Sequence, residues 1–213
     1  MRKIFVMAFM ALSLSAFAQH VTPLSIEIAD PKIDSLRALY IAEPTMYRAA
    51  LEVAVQALAK NAEEVKAAKA ELKTEQAHGK EMGNSLKEAL KMAASLKKLY
   101  TKEESELKSM QKVVEKQQKT LNKQKELNQA SRDSYLQVLE QQQKELGYSL
   151  REVAERQRAV ADMETAIQNS QTDLQSYIQE TQQKSFDITE LENLLNQRLA
   201  LVKAEQKTAK TMK

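Results

Sequence analysis

A seven-residue repeat of apolar side chains runs through two long stretches of this chain. The first series steps by seven from Leu51 to Leu121 and is apolar at ten of its eleven positions; the second steps from Leu139 to Val202 and is apolar at nine of ten. Because seven residues make nearly two helical turns, each series forms one stripe along an α-helix. A stripe held over so many repeats requires a left-handed supercoil with a partner helix. The repeat therefore predicts an all-α coiled coil.

The predicted coiled-coil seam is made of apolar residues from both series. They are Leu51, Leu58, Val65, Leu72, Leu86, Ala93, Leu107, Val114, Leu121, Leu139, Leu146, Val153, Val160, Ile167, Leu174, Ile188, Leu195 and Val202. The second seam position, three residues further on in the first series, mixes apolar residues with Asn61, Glu75 and Glu103. A thin, partly polar core of this kind is typical of a rod rather than of a globular bundle.

The two series are out of phase, since 18 residues separate Leu121 from Leu139. Between them, the segment 128–134 is rich in Asn, Ser and Asp, which favour caps and turns, and Ser131 or Asp133 is the expected cap of a new helix. We therefore predict a long antiparallel helical hairpin with a first helix over 45–128, a turn over 129–134 and a second helix over 135–207. Each helix would be roughly 110–125 Å long at ~1.5 Å per residue.

In the simplest register of this hairpin, paired positions sum to 260, which places Gly79 opposite Thr181. The alternative architecture is a parallel oligomeric rod, in which 128–138 is a discontinuity in the heptad repeat. Gly79 and Gly83 lie four residues apart in the first helix and mark a candidate hinge, because each glycine costs a helix about 1 kcal/mol relative to alanine.

The N-terminus has the pattern of a cleaved signal peptide spanning residues 1–18. Arg2 and Lys3 precede an uncharged apolar run that ends in Ala-Phe-Ala, and cleavage is expected between Ala18 and Gln19. The run is shorter than the roughly 20 residues that span a bilayer. With no cysteine in the chain, a lipoprotein anchor and disulfides are excluded. We expect export to the bacterial periplasm, with secretion or outer-membrane association as the alternatives.

A proline-containing lead segment, residues 19–44, precedes the long helices. The alternation in Ser25-Ile26-Glu27-Ile28 predicts a short extended arm. Asp30 has the features of an N-cap, which predicts a short helix over 32–43 that is broken or bent at Pro44.

No catalytic, cofactor-binding or metal-binding residues are predicted. His20 and His78 are the only histidines, neither has partners at metal-ligand spacing, and the carboxylates mostly alternate with lysines as on a solvated helix face. The net charge of +3 falls to +1 when the two basic residues of the signal peptide are removed, which does not favour nucleic-acid binding. The sequence indicates a protein that is not an enzyme.

The functional expectation is an exported coiled-coil protein of the cell envelope that acts as a structural spacer, scaffold or protein-interaction module. Its partners would be other envelope proteins or further copies of itself, without transmembrane insertion after signal cleavage. The basic tail 208–213 is a candidate contact to an anionic envelope surface. Glutamine clusters flank the predicted turn; the preferred interpretation is solvated surface, and the alternative is a loosely paired end that grips a client or partner. The layout of a long helical hairpin gives the alternative function, a periplasmic holdase-type chaperone that holds clients.

Overall fold

The protein is an α-helical hairpin. The computed structural model describes residues 21–40, 43–124 and 128–211. That part of the chain forms three helices, α1 (Ile33–Tyr40), α2 (Pro44–Lys123) and α3 (Gln129–Thr211), and contains no strand. The two long helices α2 and α3 pack against each other, which confirms the predicted all-α hairpin. The predicted signal peptide, residues 1–18, lies outside the described residues.

The lead segment forms a shorter helix than the predicted 32–43. Helix α1 begins at Ile33 and ends at Tyr40. Just before the helix, the Asp30 side chain accepts a hydrogen bond from the Lys32 backbone N–H at 3.1 Å. Lys32 itself is outside the helix, with a left-handed φ of 44°. Its carbonyl accepts the first helical bond, from the Leu36 N–H at 3.0 Å.

Pro44 is the first residue of α2, and helix α1 ends before it, at Tyr40. The Tyr47 N–H donates to the Glu43 carbonyl at 3.0 Å, which makes Glu43 the N-cap and Pro44 the first helical residue. The first N–H groups of a helix have no partner within the helix, so the N–H that proline lacks is not missed there.

The prediction of a turn over 129–134 is wrong, because those residues form the first turns of α3. Asn128 is the N-cap, and its Oδ1 accepts the Ser131 backbone N–H at 2.8 Å. Ser131 and Asp133, which were expected to cap the helix, lie inside it. With an N-cap already at Asn128 and neither Gly nor Pro in 129–134, nothing in that segment interrupts helix formation.

Arg132 closes the turn from the α3 side. Its Nη2 donates to the backbone carbonyls of Gln124 at 2.6 Å, Asn122 at 3.2 Å and Leu121 at 3.4 Å. The last carbonyls of a helix have no partners within it, and a cation beside them is favoured by the helix dipole. The connection is therefore held by side chains at 128 and 132, and it needs only a few residues.

Helix α3 continues into the segment predicted as the basic tail 208–213. It ends at Thr211, so residues 208–211 are helical, and 212–213 lie outside the described residues. Ala209 is fully buried, and its carbonyl accepts a hydrogen bond from Arg48 Nε at 2.9 Å. The end of the helix is thus packed against α2.

The described residues fall into two compact units. The lead unit contains residues 21–82 and 173–211, and the turn unit contains residues 83–172. The lead unit has an extensive core that runs from Ile28 and Tyr47 to Leu72 on one side and from Ile188 to Ala209 on the other. In the turn unit, one core cluster consists of Tyr100, Val153 and Val160, with Leu96 and Leu107 packed against it.

Polar contacts between α2 and α3 report the register in each unit. Lys69 Nζ binds Glu192 Oε2 at 2.6 Å in the lead unit. In the turn unit, Lys97 Nζ binds Glu164 Oε2 at 2.9 Å, and Gln118 Nε2 donates to Gln143 Oε1 at 3.2 Å. The two residue numbers of each pair add up to 261, one more than the 260 predicted for paired seam positions.

This register predicts efficient crosslinking within one chain. The chain has no native cysteine, so Lys97→Cys with Glu164→Cys, and Gln118→Cys with Gln143→Cys, introduce the only thiols. A short bis-maleimide should join each pair within a monomer in dilute solution, as judged by gel mobility and mass spectrometry.

The mismatched pair Lys97→Cys with Gln143→Cys is the control. It uses positions from both matched pairs but lies about 20 residues out of register, or roughly 30 Å along a helix at ~1.5 Å per residue. It should give no product within one chain. Products exclusively between chains, for all three pairs, would contradict the hairpin.

The turn contacts predict a second measurable effect. Asn128→Ala should lower the free energy of unfolding by about 1 kcal/mol, the usual cost of losing an N-cap. Arg132→Ala should cost about 0.5–1.5 kcal/mol, the net contribution of a typical hydrogen bond, because water replaces the lost donor at the exposed carbonyls of Asn122 and Gln124. Urea denaturation followed by far-ultraviolet circular dichroism measures both, with the exposed Arg158→Ala in α3 as the control. Equal effects at 132 and 158 would contradict the proposed capping.

Candidate protein-binding groove

The structure places most predicted seam residues in buried positions. The buried ones are Leu51, Leu58, Val65, Leu72, Leu86, Ala93, Val114, Val153, Val160, Ile167, Ile188, Leu195 and Val202. The half-buried ones are Leu107, Leu121, Leu139, Leu146 and Leu174. Four of these five belong to the turn unit, so the seam there is more open to solvent.

In the lead unit, the segment Val21–Ala29 lies along α2 and α3 as an extended arm. The Thr22 N–H donates to Glu75 Oε1 at 3.1 Å, and the Ala29 N–H donates to Asn61 Oδ1 at 2.8 Å. Glu75 and Asn61 are about 21 Å apart along α2 at ~1.5 Å per residue. Seven residues of the arm cover that distance, about 3 Å each, which is close to the limit of an extended chain.

The arm presents alternate side chains to the helices. Leu24, Ile26 and Ile28 pack on the lead-unit core, whereas Ser25 and Glu27 are exposed. This is the alternation on which the prediction of an extended arm rested. Ile28 is the most deeply placed of the five and belongs to the same buried cluster as Leu58, Val65, Leu195 and Val202.

Polar side chains of both helices bind the backbone of the arm. Asn61 is buried and, besides accepting the Ala29 N–H, donates from Nδ2 to the Glu27 carbonyl at 3.0 Å. From α3, Arg198 Nη1 donates to the Ile28 carbonyl. The arm is thus held by its apolar side chains and by its own peptide groups.

A buried lysine lies beside the start of the arm. The Lys184 side chain is 4% exposed and pairs with Glu75 at 2.9 Å and with Glu71 at 3.3 Å. A hydrogen bond from the Thr22 side chain, together with Lys184, lowers the pKa of Glu71. Glu75 Oε2 is buried and has no hydrogen-bond partner among the described residues. This cluster links the arm to both helices.

Gly79 lies beside an aromatic ring. A Cβ at Gly79 would lie 3.4 Å from the Tyr177 ring, whose hydroxyl donates to the Glu75 carbonyl at 3.1 Å, and burial raises the pKa of Tyr177. Gly79 thus faces Tyr177, one turn from the predicted Thr181. Helix α2 is continuous through Gly79 and Gly83, and the hinge at these glycines stays a prediction.

In the turn unit, an open groove lies between α2 and α3, here called the turn groove. It consists of two adjoining recesses of about 660 and 550 Å³ that share Val113, Gln117 and Gln142. This size is within the range of ligand pockets. The apolar lining residues are Leu107, Met110, Val113, Val114, Leu121, Tyr135, Val138, Leu139 and Leu146.

Several of these apolar side chains are exposed to an unusual degree for their type. Val113 is 51% exposed, Val138 is 53% exposed, and Met110 and Tyr135 are exposed to a similar extent. Contiguous apolar surface of this kind marks an interaction site more often than scattered single residues do. Further from the turn than the lining residues Leu107 and Ser149, Arg156 pairs with Glu103 at 3.4 Å and lies over the Tyr100 ring.

The polar lining of the turn groove is mostly uncharged. Its polar residues are Lys116, Gln117, Thr120, Gln124, Gln142, Glu145 and Ser149. Only one of these is basic and only one acidic, so the groove offers hydrogen-bonding groups with little net charge. Such a lining suits peptide or amide groups better than phosphate, which proteins bind with clusters of cations.

Sequence reasoning identified the seam but missed both surfaces beside it. Asn61 and Glu75 were treated as polar interruptions of the seam, whereas they bind the arm. Val113 and Val138 directly precede the seam residues Val114 and Leu139, and this widening of the apolar stripe was the available signal for the groove.

The described ranges contain no group of three or more His, Asp or Glu residues placed to bind a metal ion. His78 packs edge-on against Tyr177 at 6.1 Å, and its Nε2 is buried without a hydrogen-bond partner among the described residues; His20 lies outside them. Of the described helices, none is long and apolar enough to cross a membrane. Comparisons with protein-family models, curated proteins and solved structures found no match.

The arm contacts predict that Asn61→Ala weakens the lead unit. The substitution leaves the peptide groups at 27 and 29 without their partner in a part-buried site, which should cost about 1–3 kcal/mol. Urea denaturation measures the loss, and limited proteolysis should show faster cleavage within 21–40. Asn196→Ala, at an exposed position of the same unit, is the control. Unchanged proteolysis of the arm in Asn61→Ala would contradict this assignment.

Proposed function

We propose that this protein is an exported, non-enzymatic coiled-coil protein of the bacterial cell envelope. It resides in the periplasm and acts as a spacer or scaffold that binds another protein. Export is supported by the pattern of residues 1–18, with its basic start, apolar run and small residues before Gln19.

The observation that carries the binding role is the turn groove. Four of its apolar residues are exposed, its described polar residues include one charge of each sign, and it lies next to the start of α3, where Asn128 is the N-cap and Arg132 binds carbonyls at the end of α2. A binding surface beside a well-capped turn is supported by rigid elements. Protein is the class of partner that this mixture of apolar and amide groups suits best.

The same groove also favours a second candidate function, that of a periplasmic holdase-type chaperone. A holdase needs exposed apolar surface that accepts unfolded chains, and Met110, Val113, Tyr135 and Val138 provide such surface. The two candidates differ in what the groove receives, which is a specific folded partner for the scaffold and many unfolded clients for the holdase.

Photo-crosslinking in cells tests the proposed function. A benzophenone amino acid at position 113 or 138 should form adducts with a discrete envelope protein. The same amino acid at position 53, where Val53 is 65% exposed in the lead unit, should not. Mass spectrometry of the mature chain should find Gln19 at its N-terminus. Retention of residues 1–18 in the cytoplasm would reject export, and equal labelling at 53 and 113 would reject the binding role.

An aggregation assay separates the two candidates. A holdase should suppress aggregation of an unfolded outer-membrane protein. Val113→Glu with Val138→Glu should then abolish suppression, while Val53→Glu keeps it. If the unmodified protein does not suppress aggregation, the chaperone function is rejected and the scaffold stands on the crosslinking result.

A further inference from the structure

We infer that the turn groove binds an extended peptide segment in which every second side chain is apolar. This inference rests on the proposed protein-binding function and specifies its ligand. The evidence is an internal comparison, because the lead unit contains a site with polar and apolar side chains at corresponding positions, and that site already holds an extended segment of this kind, the arm Val21–Ala29.

The two sites occupy equivalent heptad positions. Asn61 and Arg198, which bind the arm backbone, are each eight heptads from a residue of the turn groove, namely Gln117 and Gln142. The residue numbers 61 and 198 add up to 259, and so do 117 and 142. In an antiparallel pair of helices an equal sum means an equal offset between the two residues along α2 and α3. The groove therefore has a side-chain amide on each helix where the lead unit has the two residues that hold the arm.

The apolar floors correspond in the same way. In the lead unit, the floor under Ile28 consists of Leu58, Val65, Leu195 and Val202. The residues eight heptads from these four are Val114, Leu121, Leu139 and Leu146, in the same order. All four of these residues line the turn groove. In the lead unit this floor is covered and its members are buried, whereas in the turn unit three of the four are half-buried. The turn groove thus has the same floor without its cover.

The polar groups favour an extended ligand over a helix. A carboxamide both donates and accepts, as Asn61 does with the Glu27 carbonyl and the Ala29 N–H. An extended chain has free peptide groups for such contacts, whereas a helix has already paired its own. Gln117 and Gln142 would have little to bond with on the backbone of a docked helix. They suit a chain with unpaired peptide groups.

The length and charge of the groove agree with this ligand. From Leu107 to Gln124 it extends about 26 Å at ~1.5 Å per residue, enough for seven or eight residues of extended chain at ~3.3 Å each. Among the described residues, Lys116 and Glu145 are the charged members of its lining, so recognition would depend on alternate apolar side chains and on peptide groups. It would therefore tolerate varied sequences.

Fluorescence anisotropy with synthetic peptides tests the inference on the full chain. The probe is a labelled, end-blocked peptide with the sequence of residues 21–29, VTPLSIEIA. One control peptide carries serine in place of Leu24, Ile26 and Ile28, and another has the same composition with its apolar residues contiguous. The probe should bind, and both control peptides should bind at least about tenfold more weakly, the ratio that 1.4 kcal/mol produces.

Protein variants locate the binding site. Gln117→Ala with Gln142→Ala should weaken binding about tenfold, because the peptide backbone loses its hydrogen bonds to both carboxamides. Val113→Glu should weaken it further. Gln137→Ala with Gln168→Ala, both at exposed sites of the turn unit, and Val53→Glu in the lead unit should leave it unchanged. Circular dichroism checks that each variant keeps its helix content.

Three results would overturn the inference. The first is equal binding of the serine peptide, and the second is unchanged affinity in the double glutamine variant. The third is a dimer, seen by sedimentation and disrupted by Val113→Glu, in a protein that binds no peptide. The last would identify a second copy as the occupant. Crosslinks at 113 in cells without peptide binding would reject only this ligand class, whereas peptide binding without crosslinks would reject the proposed cellular function and leave the ligand class standing.

Discussion

The narrow apolar seam between α2 and α3 is the constraint on which the rest of the structure depends. A pair of helices covers the first seam position well, but leaves the second at the rim, where a side chain is protected on one side only. Leu51, Leu58 and Val202 show the first case, since they are fully buried. Asn61 and Lys184 are also buried, and the contacts of the arm and the surrounding carboxylates explain how polar residues are accommodated there.

The arm therefore completes a core that two helices cannot close. Burial of Ile28 removes apolar surface from water, and Asn61 and Arg198 satisfy peptide groups that would otherwise be buried without partners. An unpaired buried peptide group costs about as much as the apolar contact beside it gains. The apolar and polar contacts of the arm are thus interdependent, and neither would hold the segment in place alone.

The heptad pattern was sufficient to predict the fold class and the two long helices, because both depend on periodicity along the chain. The reversal between them needed the cap-forming residues of 128–134 as well, since the break in phase alone also allows a parallel rod. The exact turn could not be predicted in the same way. Ser131 and Asp133 have the chemistry of cap residues, but so does Asn128, and local propensity does not choose among them. The contacts of Arg132 with carbonyls 8 to 11 residues earlier help to fix where the reversal occurs, and such contacts exist only in the folded hairpin.

The candidate site was less accessible to sequence reasoning, since it depends on which residues share a surface. Gly79 was interpreted as a weakness in the helix, yet it faces the ring of Tyr177, which a Cβ at this position would contact at 3.4 Å. Glu75 was interpreted as an impurity of the seam, although it pairs with Lys184 and with the arm. In each case the partner is at least 50 residues away along the chain. The composition of a single helix contains no information about such partners.

Polar residues at the second seam position have a common physical explanation in both units. An apolar residue there would strengthen contact between two helices but would offer nothing to a third segment with free peptide groups. Asn61 gives up some of that helix contact and gains two hydrogen bonds to the arm. Gln117 and Gln142 carry the same functional group at equivalent positions beside an apolar floor that is open to solvent. A seam that only paired two helices would favour apolar residues at these positions, and the ligand proposed for the turn groove gives the amides of Gln117 and Gln142 a backbone to bind.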